Sequence, residues 1–204
     1  MSPQATTEPA GGATVNHRNP VIAADAAAAE RRLVPVIAQQ TAAAPQALTF
    51  DVAAKIDLTL IFKRFGPLPA VVGSNDQTGP WDVVGQSRKP QLGDGTSAFE
   101  ELTAWHAPWY FEYEVSRFTN PLLRSLVSGA RGDWKFTPVT AGGTQITWTY
   151  SFRPLHYRKT SVRLLIAPLW RAYMRRALER CVDEIERQAP VGVQSRGRSG
   201  ERAV

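Results

Sequence analysis

Glu100 and Glu101 stand side by side in a stretch with the alternation of a β-strand. Neighbouring strand residues point to opposite faces, so one of the two carboxylates faces inward. A carboxyl group buried among apolar side chains titrates high and can serve as a general base. The competing arrangement is a carboxylate neutralised by Arg88 or Lys89 on the preceding strand, and the charge pattern favours it. Glu101 is therefore only a weak candidate catalytic residue. His17 lies in a low-complexity segment, His106 in a turn beside Pro108, and His156 in the connection after Pro154; each has the setting of an exposed polar residue. Three His and one Cys, far apart, supply no metal-ligand spacing. No phosphate loop, nucleophilic serine turn or dinucleotide fingerprint is present, so neither metal nor cofactor is expected.

Rings are more abundant than reactive groups. Trp109, Phe111 and Tyr113 share one face of a cleanly alternating strand, with Tyr110, Glu112 and Glu114 on the other. Trp134 and Phe136 do the same on a second strand, and Trp148, Tyr150 and Phe152 on a third. Leu169 and Tyr173 belong to the apolar stripe of a later helix. Large rigid walls that cannot interdigitate leave gaps, which suit apolar pockets. These ten residues are the expected ligand-binding set.

The elements that position them follow from periodicity. Leu48, Phe50, Val52 and Ala54 alternate with polar or small residues and predict a first strand. Asp57 caps a helix over Leu58 to Phe65, ended by Gly66 and Pro67. Leu68 to Gly73 reads as a helical turn or loop. The Asp94-Gly95 pair predicts a tight hairpin joining Gln86–Leu92 to Thr96–Trp105; pairing Gly93 with Thr96 sets Arg88 opposite Glu101 and Lys89 opposite Glu100. A three-residue loop at Ala141-Gly142-Gly143 pairs Phe136 with Trp148 and Trp134 with Tyr150, so that all the rings face one way. Pro121 to Val127 reads as a short helical excursion that either caps a cavity mouth or fills a gap at the end of the sheet. From Ser161 to Gln188 apolar residues recur every three or four positions, a long amphipathic helix in which Pro168 should mark a kink or break.

The 204 residues, 43% of them hydrophobic, can bury one sizeable core. The net charge of +6 and pI near 9.8 come largely from Arg on the last helix and beyond it. Glu179, Asp183, Glu184 and Glu186 intersperse the helical arginines, so a solvated face is expected and nucleic acid is not. One cysteine, Cys181, on the apolar stripe, excludes an internal disulfide and fits a reducing compartment. No apolar run reaches the roughly 18 residues of a membrane span, and the first residues lack the pattern of a signal peptide; the cytoplasm is the expected location. Residues 1–44 and 189–204 are expected to be disordered tails around a single domain at 45–188. A helix over Ala23 to Gln40 would be interrupted by Pro35.

Several strings resemble bacterial members of the SRPBCC (START-like) superfamily, polyketide cyclase/dehydrase branch. They are Gly66-Pro67-Leu68-Pro69-Ala70-Val71-Val72, Gln77-Thr78-Gly79-Pro80-Trp81-Asp82, Asp94-Gly95-Thr96-Ser97 before Glu100-Glu101-Leu102-Thr103, Trp134-Lys135-Phe136-Thr137, and Trp148-Thr149-Tyr150. The resemblance spans about Gln46 to Glu186. It implies an α+β helix-grip fold, a curved antiparallel sheet wrapped around a long C-terminal helix, with a hydrophobic-ligand cavity between them. The function it implies is binding of a small hydrophobic or lipid-like molecule; the alternative is a polyketide cyclase/dehydratase acting in the same cavity. A third class is an interaction module whose basic helix docks on an acidic partner or membrane. Ligand identity and oligomeric state do not follow from the residues.

Overall fold

The computed structural model describes residue 30, residues 32–140 and residues 142–189. The sheet and helices belong to the compact unit that begins at Arg32. Its elements are β1 (Val34–Ala42), α1 (Gln46–Lys55), α2 (Leu58–Ile61), β2 (Val71–Asn75), β3 (Ser87–Leu92), β4 (Phe99–His106), β5 (Tyr110–Ser116), α3 (Pro121–Leu126), β6 (Val127–Pro138), β7 (Thr144–Pro154), α4 (Lys159–Ser161), a π-helical turn (Val162–Ile166) and α5 (Ala167–Gln188). The seven strands form one antiparallel sheet in the order β1-β7-β6-β5-β4-β3-β2. The sheet curls into a half-barrel around the helix at 159–188.

The domain starts earlier than the expected boundary at residue 45. Val34, Val36 and Ala38 face inward, paired with Phe152, Tyr150 and Trp148 of β7. Pro35, which would break a helix, is compatible with a strand that pairs on one side only. The expectation of disorder is thus corrected for residues 34–44; residues 1–29 and 190–204, like most of the expected tails, lie outside the described residues. The segment predicted as a first strand is instead helix α1. Thr49, Phe50, Val52, Ala53 and Ala54 are buried. Phe50, Val52 and Ala54 fit the predicted alternation, but the pairs Thr49-Phe50 and Ala53-Ala54 recur at helical spacing, and Ala favours the helix. Asp57 caps α2 as expected, accepting from the Thr59 N–H at 2.9 Å, but α2 ends at Ile61. The loop-or-turn expectation at Leu68 to Gly73 gives way to β2.

Two registers differ from expectation. Leu92 N–H donates to Thr96 O at 2.8 Å, so the hairpin loop holds three residues, Gly93 to Gly95, with Gly95 at φ +82°. One residue of slip follows, and Arg88 pairs with Glu100. The β6–β7 loop runs from Val139 to Gly143. Trp134 therefore faces Trp148 and Phe136 faces Ile146, a shift of two that preserves which face the rings occupy.

Pro168 falls in the first turn of α5. The turn before it is wider: Ala167 N–H bonds Val162 O, five residues back. The extra residue accommodates a ring that cannot donate and would clash in a regular helix. Met174, Ala177, Leu178, Cys181 and Ile185 then bury against the sheet.

A ring-lined cavity between the sheet and the C-terminal helix

Strand register sorts the concave face into rows. One row reads Ala38, Trp148, Trp134, Phe111 and Trp105 across β1, β7, β6, β5 and β4. Trp134 stacks on Trp148 at 4.7 Å and on Phe111 at 5.6 Å. Helix α1 closes this end: Phe50 sets its ring edge against Trp105 at 4.9 Å and Phe136 at 5.1 Å. The next row, Val36, Tyr150, Gly132, Tyr113 and Leu102, is interrupted by a residue with no side chain. A Cβ on Gly132 would lie 2.2 Å from Tyr113 Cζ, so the tyrosine ring rests directly on the glycine backbone. Beyond it lie Ala130 and Val115, also small. Where α1 sits the face is bulky and filled; beyond Gly132 it is shallow.

There a cavity of about 230 Å³ opens. Its walls include Phe111, Tyr113, Val115, Trp134, Trp148 and Tyr150 of the sheet. Ile166, Leu169, Trp170 and Tyr173 come from the helix, Ala54, Ile61 and Phe62 from the α1–α2 side, and Phe118, Leu122 and Leu123 from the α3 excursion. Of the ten expected residues, seven line it. Three do not. Phe136 packs under α1 against Phe50; Phe152 is fully buried against Tyr150 and Trp170; Trp109 sits at the β4–β5 turn, 56% exposed. Alternation assigns a face, and these positions lie at the ends of that face or behind another ring.

The carboxylate expectation is corrected as well. The one-residue slip turns Glu101 outward, to the exposed surface, and brings Glu100 into the cavity wall. Glu100 accepts from Arg88 Nε at 2.8 Å, the side chains 14% and 12% exposed. The Arg88 guanidinium lies 3.9 Å from the centre of the Trp81 ring. The neutralised-carboxylate arrangement therefore holds, with Glu100 in the place of Glu101. Pairing makes this corner electrically balanced, and a single unpaired charge there would be costly. The sequence places one carboxylate of the pair inward and offers Arg88 as its partner. It favours Glu101, whereas the hairpin loop is one residue longer than expected and turns Glu100 inward. Sequence reasoning missed Trp81 as a wall residue.

Other polar positions are few. Tyr173 donates to Pro69 O at 2.6 Å, tying the helix to the segment before β2. The Trp148 and Trp170 indole N–H groups, buried in the wall, make no hydrogen bond of good geometry within the protein. His106 stacks on Tyr110, and His156 lies tilted against Tyr157; neither histidine lines the cavity. Burial pushes the Cys181 thiol up to about 12, so it is an inert thiol in the core. Among the described residues no group of three or more His, Cys, Asp or Glu could hold a metal ion, and no helix is long and apolar enough to cross a membrane.

Burial also raises the phenols. Tyr173 is pushed up to about 12. Tyr113 is raised by burial and then by the nearby Glu100, and Tyr150 by burial and then by Tyr113. The unfolded chain releases these protons near the ordinary value of about 10, while the folded chain keeps them. Stability is therefore unaffected below about pH 10 and falls as pH rises above it, through about 12 for Tyr173. Urea midpoints should be level between about pH 8 and 9 and decline steeply above 10, less steeply in Tyr173→Phe. A midpoint unchanged up to about pH 11 would mean that the phenols are solvated.

A curled antiparallel sheet, a long C-terminal helix in its grip and a hollow between them define the helix-grip class. Residues 35–188 match the family described as polyketide cyclase/dehydrase and lipid transport, and the chain belongs to that family. Solved structures agree in fold. A Mesorhizobium loti protein is similar with a TM-score of 0.57 at 11% identity, covering 77% of this chain and 100% of that one. The ginseng major latex-like protein 151 from Panax ginseng gives 0.56 at 14%, covering 74% and 97%. A Thermus thermophilus protein gives 0.56 at 16%, covering 77% and 100%. Identities this low speak to the fold alone. No curated protein matches the chain.

Proposed function

We propose that the domain binds a small, largely apolar, uncharged molecule in the cavity between sheet and helix. The observation that carries this reading is the cavity itself, about 230 Å³ walled mainly by rings and aliphatic side chains. An apolar void of about 150 Å³ is enough to take up benzene, whereas drug-sized ligands occupy about 300–1,000 Å³. The size fits one or two fused rings or a short chain. The Arg88–Glu100 pair leaves no spare charge for an anion. Burying roughly 200 Å² of apolar ligand surface is worth about 5 kcal/mol before association costs, so affinity in the millimolar range is expected, no tighter than about 0.2 mM. The cyclase/dehydratase alternative loses the base the sequence offered it, since Glu101 is exposed and Glu100 is engaged by Arg88. Cytoplasmic placement, resting on the single buried Cys181, belongs to the same proposal.

Native mass spectrometry of the protein purified from its own host tests the reading. An apolar adduct that dissociates on collisional activation is the expected result. Protein that carries no adduct and takes up none from a panel of neutral aromatic compounds at millimolar concentration would refute it.

A further inference from the structure

The apolar surface does not stop at the cavity. Leu122 on α3, Tyr157 in the turn after β7, and Leu164 and Leu165 in the π-helical turn are 60%, 91%, 65% and 68% exposed. The structure draws these segments to one end of the domain. Leu155 N–H donates to Leu126 O at 2.9 Å, joining the turn to the end of α3. Leu122 and Ile166, next to Leu165, line the same cavity.

Charge at this end is mostly positive, and the nearby Glu114 is taken up by Arg153 at 2.9 Å. No Asp or Glu occurs from Val115 to Gly132, which includes α3, or from Trp134 to Leu178, which includes β7, the turn, α4 and the first half of α5. The same stretches contribute the exposed Arg124, Arg158, Arg163, Arg171 and Arg175. The acidic residues that balance the helical arginines begin at Glu179.

We propose that this end of the domain docks on an anionic lipid surface, with Leu122, Tyr157, Leu164 and Leu165 entering the headgroup region and the surrounding arginines meeting the lipid phosphates. Exposed leucines ringed by cations are the composition of interfacial membrane-binding segments. A nucleic-acid surface would reward the arginines and leave the leucines without a partner. The inference goes beyond ligand binding, because docking requires nothing in the cavity. Its consequence is that the α3 side of the cavity would face lipid, giving an apolar molecule a path that avoids water.

Co-sedimentation of the full chain with vesicles of phosphatidylcholine, with and without phosphatidylglycerol, tests it. Expected is about tenfold more binding to the anionic vesicles, declining as salt is raised. Leu164→Glu/Leu165→Glu should abolish that binding without changing thermal stability, since both side chains are already in solvent. Arg158→Glu/Arg163→Glu should weaken it in the same way. Equal binding to both vesicle types, no binding to either, or anionic binding that survives the leucine substitutions would overturn the proposal. So would binding to duplex DNA without binding to vesicles.

Discussion

Phe136→Ala should lower domain stability by about 3–5 kcal/mol, a fall in Tm of roughly 10 °C or more. The ring is fully buried. It meets Phe50 of α1 edge-on at 5.1 Å, Phe111 at 6.0 Å and Trp134 at 6.3 Å. Truncation opens a void between α1 and the sheet, and the rigid neighbours cannot collapse into it. Gln46 Nε2 also donates to the Phe136 carbonyl at 2.7 Å, so the start of α1 is anchored at the same place. Because Phe136 does not line the cavity, affinity for an apolar ligand should change little in the fraction that remains folded. Urea unfolding and ligand titration on the same variant measure both. A ligand affinity that falls in step with stability would mean that the two ends of the concave face are not separate.

Val115→Phe is the complementary change. Val115 is fully buried and its side chain lines the cavity beside the Tyr113 row. Adding a ring to a filled core forces off-rotamer side chains and costs about 1–3 kcal/mol. Adding it to a hollow extends a wall into empty space and should leave stability unchanged or improved. Ligand affinity should fall at least tenfold, about 1.4 kcal/mol, because the ring occupies the volume the ligand needs. Calorimetric titration with a neutral aromatic compound, alongside thermal unfolding, distinguishes the cases. Destabilisation with undiminished affinity would place the binding volume elsewhere.

The two variants rest on a division that the sequence shows only in part. Alternation in β5, β6 and β7 assigns the rings to one face, and it survives a two-residue error in register because the side-chain period is two. The same tolerance fails for an error of one: reading Asp94-Gly95 as a two-residue turn exchanges Glu100 with Glu101, and the inward carboxylate with it. The final helix is legible from its stripe, and the disturbance at Pro168 from the residue itself, although the π-helical form it takes is a response to packing. β1 is the largest omission. Its inward positions, Val34, Val36 and Ala38, do alternate, but the strand contains Pro35 and lies next to an Ala-rich segment, and only pairing with β7 sets it apart. In α1, Leu48, Phe50, Val52 and Ala54 alternate, while Thr49 and Ala53, which complete the buried helical stripe, are polar or small, so the apolar pattern alone favours a strand.

What no local pattern carries is whether rings enclose space or fill it. That depends on Gly132, which lets Tyr113 lie flat on β6, and on α1 covering one end of the face while α3 and the C-terminal helix arch over the other. Crystals equilibrated under xenon test this most directly, since xenon enters dry apolar cavities. Xenon should appear between Tyr113, Leu169 and Tyr173. Crystals that show none there, with the side chains in mutual contact, would contradict the account.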